Sequence, residues 1–363
     1  GIGRRQRQMC IRDRFQGMLL FFLLSTDLLV SYKISLNLSN LKTKKLKPFK
    51  KKKKMDFSDI NFSLLISSLI VAATPILLAA LGELITEKSG VLNLGVEGMM
   101  IFGAISGFIV TIETKNPWLG FLCSCIGGML LASIFAVVTQ IFRANQVASG
   151  LALTLFGLGL SALLGQSYTG IKPVAFPDMH IPILADIPII GIILFQHDFI
   201  VYFSIFAVIF VYFLFRNSHF GLIIKAIGEN HDSAHALGYK VILIRFFTIL
   251  IGGAFAGLGG GYLSLVRVPQ WTEGMTAGAG WIALALVVFA SWQPFRLLIG
   301  AYIFGGITLL QLNLQALGLE INVALLSMSP YLVTIGVLVF MSARRNQNSL
   351  EAPKSLGKTF FGL

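Results

Sequence analysis

Residues 82–100, GELITEKSGVLNLGVEGMM, place ionisable and amide side chains between two long apolar runs. The polar members considered first are Glu83, Glu87, Lys88, Asn93 and Glu97. If the flanking runs cross a membrane, this stretch breaks a helix where irregular backbone survives only inside protein or beside a water-filled cavity. Charged side chains at that depth are costly and indicate a functional site. We therefore predict that Asn93 and Glu97 face a polar cavity between helices rather than lipid, whereas Glu87 and Lys88 are solvated in a loop.

A second candidate is a short helix within RNSHFGLIIKAIGENHDSAHALGYKVILIR, residues 216–245. Asn230 or Asp232 can cap its start, residues 231–237 make about two turns, and Gly238 is a C′ stop. A helix of this length is not stable alone. It therefore needs a partner surface, supplied either by this chain or by another protein.

Two groups of side chains have the types that bind metals or form disulfides. His231 and His235 are four residues apart, a spacing that can bind a metal, but no third ligand is evident, so we predict no metal site. Cys10, Cys123 and Cys125 give no disulfide framework, and the last two lie in an apolar run where small buried residues are expected.

The composition identifies the elements that must position these side chains. Of 363 residues, 55% are hydrophobic and 12% are charged, and the mean hydropathy is +0.80. A soluble domain carries about 25% charged residues, so we predict an all-α, polytopic membrane helix bundle. The sequence contains no phosphate-binding loop of the Walker type, so the chain does not hydrolyse ATP by that route and is not predicted to be an enzyme.

The net charge of +13 lies entirely at the front of the chain. Residues 1–54 hold 15 Lys and Arg and two acids, so residues 55–363 are neutral overall and no nucleic-acid partner is predicted. A run of five lysines directly before Met55 is what adenine-rich DNA ahead of a start codon would encode. We expect residues 1–54 to be a non-native or mis-translated extension; the alternative is a polybasic arm on anionic lipid.

About 20 apolar residues cross a bilayer as a helix. Nine candidate spans satisfy or approach this length: 62–81, 94–112, 118–142, 147–165, 198–215, 244–266, 281–292, 297–314 and 327–342. The seventh is too short alone, so it either begins earlier, within residues 274–280, or is a broken helix.

Lys and Arg in the short loops predict the orientation. With alternating spans, most of these residues fall on one side, which is expected to be cytoplasmic: Arg143, Arg216, Lys225, Lys240, Arg245, Arg296, Arg344, Arg345, Lys354 and Lys358. The segment at Met55 is then outside and residues 346–363 form a cytoplasmic tail. The expected location is the bacterial plasma membrane.

Four stretches together resemble one protein family. AIGENHDSAHALGYKV is similar to the coupling loop of ABC importer permeases, the family that includes ribose and branched-chain amino acid permeases. GELITEKSGVLNLGVEGMM resembles the branch that works with basic-membrane-protein lipoproteins, mostly importers of purine nucleosides. RANQVASGLALTLFGLGLSALLG and GGAFAGLGGGYLSL extend the resemblance, in order, over residues 55–345.

The resemblance implies a permease domain at 55–345 in an ATP-driven importer. Its implied partners are an ABC ATP-binding subunit, a second permease, an external substrate-binding lipoprotein and the lipid bilayer. ATP is bound by the partner subunit, so no cofactor is expected on this chain. Sugar-type members often have an additional first span, which is absent from Met55 onward, and this favours a heterodimer of permeases. The residues implied to couple to the ATPase are Gly228, Glu229, Asn230, Ser233, Ala234 and Gly238.

A nucleoside has a flat base and a polar ribose, which suit aromatic faces and amide side chains. The candidate pathway residues are Asn93, Glu97, Gln146, Trp271 and Trp281. The tryptophans could instead be interfacial anchors, and Gln146 a helix-end cap. A simple sugar such as ribose is the alternative substrate. An ion-coupled secondary transporter or channel is the alternative class. It would need ionisable residues at mid-bilayer, and predicted spans two to nine have none well inside, apart from Glu97 near an end.

Overall fold

The computed structural model describes residues 62–180, 187, 190–316, 328, 332, 336 and 352–361. The chain divides into two units, residues 1–57 and 58–363, and every described residue belongs to the second. The predicted extension at 1–54 therefore lies outside the described residues. So does the ninth predicted span, apart from three positions that are helical.

The described part of the chain is almost entirely helical, as predicted. Its helices are α1 (Phe62–Lys88), α2 (Val96–Thr114), α3 (Pro117–Ala136), α4 (Gln146–Gly165), α5 (Ile190–Leu194), α6 (Phe199–Asn217), α7 (His219–Glu229), α8 (His231–Ala236), α9 (Val241–Tyr262), α10 (Ala279–Phe289) and α11 (Pro294–Ala316). Helices α3 and α9 continue into π-helical turns at Val137–Ile141 and Leu263–Arg267, and α4 into a 3₁₀ turn at Gln166–Tyr168.

Among the described residues, seven helices are long and apolar enough to cross a membrane, and α10 is a shorter apolar helix of 11 residues. The first eight predicted spans each fall on one of these helices. The first prediction, 62–81, ended too early, because α1 continues to Lys88 and carries both Glu83 and Glu87 on its last turns. The seventh is a short helix that begins at Ala279, within the Gly-rich residues 274–280.

Glycines let the central helices approach closely. Helix α9 packs between α1, α2 and α3, and a methyl group added at Gly103 would lie 2.4 Å from the Gly257 Cα atom. A methyl group at Gly128 would lie 2.0 Å from the Gly253 carbonyl oxygen. Close backbone contact of this kind is how membrane helices associate without a hydrophobic driving force between them.

A small antiparallel pair of strands joins α4 to α6. Strand β1 (Asp178–His180) pairs with β2 (Gln196–Asp198), in the register Met179 opposite His197. The Asp198 side chain caps α6 by accepting hydrogen bonds from the Ile200 and Val201 amides, and it also accepts one from the Tyr262 hydroxyl. Burial raises the pKa of Asp198 above its ordinary value. These contacts fix the start of α6 to the end of α9.

Candidate functional site

The link between α1 and α2, residues 89–95, is called the broken segment here. All seven residues are buried although none is helical. Side chains from neighbouring elements satisfy its backbone: the Leu92 amide donates to Gln146 Oε1 at 2.8 Å and the Asn93 amide to Glu83 Oε1 at 3.1 Å. Asn93 Oδ1 accepts the Gly95 amide at 2.9 Å and so prepares the start of α2. The irregular backbone is thus buried in protein, one of the two predicted environments.

Glu97 caps the N-terminus of the short helix α10. Its Oε1 accepts a hydrogen bond from the Thr276 hydroxyl and one from the Gly278 amide at 2.9 Å, and its Oε2 accepts the Gly280 amide at 2.6 Å. The first amides of a helix have no partner within the helix and carry a partial positive charge. Glu97 supplies a complementary negative charge from a different helix.

This cap lies inside the helix bundle, level with the interior of α4. A methyl group added at Gly98 would lie 2.7 Å from the carbonyl oxygen of Leu153, well within α4. A methyl group at Gly280, beside the cap, would lie 2.5 Å from the Glu97 amide nitrogen. The chain before α10 is irregular, with positive φ at Gly274, Ala277 and Gly278. A half-length helix therefore begins among the spans and directs its N-terminus at Glu97.

Glu83 and Glu87 form a buried carboxylate pair one turn apart at the end of α1. They are 1% and 0% exposed. Glu87 Oε2 accepts a hydrogen bond from the Trp292 indole, and Trp292 follows α10 with a positive φ of 56°. Within the described residues, Glu83 Oε2 and Glu87 Oε1 have no hydrogen-bond partner. Carboxylates from the α1–α2 region thus hold both ends of α10.

Arg245, which is 0% exposed, joins three parts of the structure. Its Nε donates to the Ser89 carbonyl at 3.0 Å, its Nη1 to the Lys358 carbonyl at 3.1 Å, and its Nη2 to His231 Nδ1 at 3.3 Å. Burial, and then the Arg245 charge, lower the pKa of His231, against an opposing effect of Asp232. A neutral imidazole is the form that accepts this hydrogen bond.

Helix α8 is the short helix that the sequence predicted. Asn230 is its N-cap, accepting the Asp232 and Ser233 amides at 3.1 and 3.0 Å, and Gly238 follows its end with a φ of 91°. Leu237, directly after α8, is 77% exposed. A cavity of about 570 Å³ opens beside this helix, lined by Ile141, His235, Lys240, Val241, Ile242, Leu243, Phe246 and Phe360.

Comparison with known proteins decides the family. The sequence profile described as the permease component of branched-chain amino acid transport systems matches residues 65–345. The chain belongs to this permease family. It is 41% identical to TsgC13 of Haloferax volcanii, provisionally named a glucose ABC transporter permease protein, over 82% of the chain and 97% of that protein.

Two further relatives are permeases of the same kind. The chain is 33% identical to the guanosine ABC transporter permease protein NupQ of Bacillus subtilis, over 84% of the chain and 98% of NupQ. It is 30% identical to the nucleoside ABC transporter permease protein NupC of Lactococcus lactis subsp. cremoris, over 82% of the chain and 96% of NupC. No solved structure matches the chain.

The structure of this permease places the five predicted pathway residues in different surroundings. Asn93 and Glu97 are both buried inside the protein, and their polar atoms contact neighbouring backbone amides, the Thr276 hydroxyl and the Met99 sulfur. Gln146 is buried at the start of α4, where it accepts the Leu92 amide. Trp271 is buried against Gly165, where a methyl group would lie 1.9 Å from its indole nitrogen. Trp281 is partly buried in the first turn of α10.

The prediction that Glu87 and Lys88 are solvated is wrong. Both are buried, because α1 continues to Lys88 and its end packs against other parts of the chain. Glu87 accepts a hydrogen bond from Trp292, and a methyl group added at Gly228 would lie 2.2 Å from the Lys88 carbonyl oxygen. Among the predicted coupling residues, Glu229, Asn230, Ser233 and Gly238 are exposed, whereas Gly228 and Ala234 are buried. Ala234 packs inside the permease, in one cluster with Ile227, Val241 and Phe360.

Sequence reasoning missed Glu83, Arg245 and Trp292 as site residues. The first two carried a signal: Glu83 and Glu87 share one helix face at a spacing of four, and Arg245 stands within the apolar run of α9. Trp292 carried none. In the described part of the permease no three His, Cys, Asp or Glu side chains come together as a metal site. His231 and His235 instead flank the ring of Phe360, at 5.4 and 5.2 Å between ring centroids.

Proposed function

We propose that the chain is one of two different permease subunits of an ATP-driven importer of purine nucleosides. A separate subunit binds ATP, and an external lipoprotein delivers the substrate. Helix α8 and the C-terminus lie in the cytoplasm of a bacterial cell, with Met55 on the opposite side of the plasma membrane. The relatives named for guanosine and nucleoside, aligned over 98% and 96% of their lengths, support this substrate class.

The observation that carries the substrate class is the position of Glu97. In transporters, the N-terminus of a half-length helix commonly faces an anionic group of the substrate. Here a carboxylate of the chain itself accepts the Gly278 and Gly280 amides. Because this positive helix end is already neutralised, the site suits an uncharged solute better than the carboxylate of an amino acid. Nucleosides and sugars are both uncharged.

Helix α8 is the proposed contact to the ATP-binding subunit. It is a two-turn element that presents Ser233, and at its end Leu237, to the surrounding medium. An exposed leucine beside a cavity is a suitable anchor for a partner protein. Glu229, Asn230 and Gly238 border this surface, whereas Gly228 and Ala234 support it from beneath.

A neutral sugar is the second candidate substrate. The observation that favours it is the 41% identity to TsgC13, which covers 97% of that protein. The Glu97 cap suits both candidate substrates, because neither solute carries a carboxylate. Only a direct measurement of uptake separates them.

The test is uptake into proteoliposomes that contain the complete complex and internal ATP. Labelled guanosine is offered with lipoprotein, and unlabelled adenosine, glucose, ribose or leucine is added as competitor. We expect saturable guanosine uptake that adenosine inhibits and leucine does not. Uptake of glucose in preference to guanosine would replace the first candidate by the second. Uptake that persists without the ATP-binding subunit would indicate an ion-coupled transporter instead.

The α8 contact has its own variant pair. Leu237→Asn should reduce co-purification of the ATP-binding subunit, whereas Leu222→Asn, at a 53% exposed leucine on α7, should not. Equal co-purification for both variants would contradict the assignment of α8 as the docking element.

A further inference from the structure

The described C-terminal residues form a strap across the predicted cytoplasmic face. The C-terminal strap is defined as residues 352–360. The Ser355 amide donates to the Gly228 carbonyl at 2.8 Å, at the end of α7. The Gly357 amide donates to the Gly90 carbonyl at 3.1 Å, in the broken segment. One short stretch of backbone is therefore hydrogen-bonded to both the region that leads into α8 and the region that leads into α2.

The end of the strap is anchored by an aromatic side chain. Phe360 is 6% exposed and packs with Ile227, Ala234 and Val241, which come from α7, α8 and α9. Its neighbour Phe361 is 63% exposed. Burying a phenylalanine contributes about 1.5–3 kcal/mol, so the buried Phe360 anchors the strap. The exposed Phe361 provides a matched control.

Helix α8 has few other connections to the membrane helices. Only His231 and Ala234 of its residues are buried. His231 is hydrogen-bonded to Arg245, and Ala234 belongs to the cluster around Phe360. Besides its chain links to α7 and α9 and the packing of Ala234, α8 is therefore connected to the broken segment through Arg245 and the strap.

Arg245 continues the connection into the site. It contacts the carbonyl of Ser89, at the beginning of the broken segment, and the carbonyl of Lys358, in the strap. Gln146 makes a similar pair of contacts, accepting the Leu92 amide and donating to the Lys358 carbonyl at 3.4 Å. The broken segment ends at α2, whose second residue is Glu97.

We propose that Arg245 and the C-terminal strap are positioning elements that transmit movement of α8 to the broken segment and through it to the Glu97 cap of α10. This inference rests on the proposed function, because it takes α8 to be the element that an ATP-binding subunit moves. It assigns the C-terminal residues a part in coupling ATP hydrolysis to transport. Neither Arg245 nor the strap touches the substrate in this mechanism.

The first test measures ATP hydrolysis and uptake in the same proteoliposomes of the complete complex. Arg245→Lys keeps the charge, but a compact ammonium group does not reproduce the planar fork that reaches three acceptors. Phe360→Ala removes the anchor of the strap, and Phe361→Ala is the control. We expect the first two variants to hydrolyse ATP at no less than about half the parental rate while uptake falls about tenfold. The number of ATP molecules used per solute then rises at least about fivefold, and the control keeps the parental ratio.

A merely structural role would lower hydrolysis and uptake together, in proportion to the amount of assembled complex, and so leave the ratio unchanged. A parental ratio in both Arg245→Lys and Phe360→Ala would overturn the proposal. If the parental complex itself shows no ATP-driven uptake, the proposed function fails instead, which is a different result.

A second measurement needs no variant and covers the case in which the variants do not assemble. Hydrogen exchange is followed on the parental complex with and without ATP. We expect the Ser355 and Gly357 amides to be protected and their protection to change together with that of α8 when ATP is added. The transmission role would be overturned if these two amides exchange at the rate of an unfolded chain. It would also be overturned if ATP changes the protection of α8 but not that of these two amides.

Discussion

Replacing Glu97 by glutamine tests the cap of α10 with the smallest change in shape. The carboxylate accepts hydrogen bonds from the Thr276 hydroxyl and from the Gly278 and Gly280 amides. The glutamine oxygen can keep the first two, but its NH₂ group then faces the Gly280 amide, and two donors meet. A buried donor without a partner costs about 1–3 kcal/mol. Loss of the negative charge at a helix N-terminus adds about 0.3–1 kcal/mol, and up to about 2 where it is partly buried.

The expected loss is therefore about 1–4 kcal/mol in the free energy of unfolding. At roughly 2–4 °C per kcal/mol, the Tm falls by about 2–16 °C. The assay is thermal unfolding of the purified complex, with guanosine uptake measured on the same preparation. Glu113→Gln is the matched control, because Glu113 lies on the same helix but is exposed, where it accepts a hydrogen bond from the Tyr168 hydroxyl. If Glu97→Gln and Glu113→Gln unfold at the parental temperature, the carboxylate does not hold α10 and the argument for an uncharged substrate loses its basis.

Three further predictions concern the surroundings of this cap. Trp292→Phe removes the donor to buried Glu87 and should lower the free energy of unfolding by about 1–3 kcal/mol, whereas no change in Tm would mean that this contact contributes nothing. Because the pKa of His231 is lowered, its contact with Arg245 stabilises the fold above about pH 6.5, the ordinary value, and this stability is lost as the pH falls towards the lowered pKa. The protection factor of the Ser355 amide, which compares its exchange with the intrinsic rate at the same pH, should then decrease between about pH 7.5 and about pH 5, and an unchanged protection factor would refute this prediction. Asn230→Ala removes the α8 cap at about 1 kcal/mol and should weaken co-purification of the ATP-binding subunit, with unaltered binding counting against the role of the cap.

Local signals in the sequence were sufficient to predict the membrane-spanning helices approximately and to predict α8. Asn230 and Gly238 define α8 because a cap and a left-handed stop act on their own neighbours, and the structure follows both. Gly90 is a similar local signal for the end of α1, although the span predicted from hydropathy ended earlier. Gly90 has a φ of 87° and its amide donates to the Glu87 carbonyl, so the helix ends there and not where the charged residues begin.

The composition of the site depends on contacts that sequence patterns do not contain. Glu97 and Gly280 are hydrogen-bonded partners separated by 183 positions, and Arg245 meets Lys358 across 113. Charge alone made Glu87 a surface residue. That interpretation assumed that a charged stretch next to a span faces water, and it did not foresee how other segments bury the end of α1.

The resulting network connects α8, the broken segment, α10 and the C-terminal strap. From α8, the contacts run through Arg245 to Ser89, along the seven buried residues of the broken segment, and from Glu97 to the start of α10. At the other end of α10, the Trp292 indole donates a hydrogen bond to Glu87, which precedes Ser89 by two residues. These contacts form a closed loop of interactions that restricts relative movement of the elements, because breaking any one of its buried hydrogen bonds leaves an unsatisfied partner. On the proposal above, we expect movement of α8 to shift α10 or to break one of these links. Helix α10 is therefore the element whose hydrogen exchange should be followed when ATP is added.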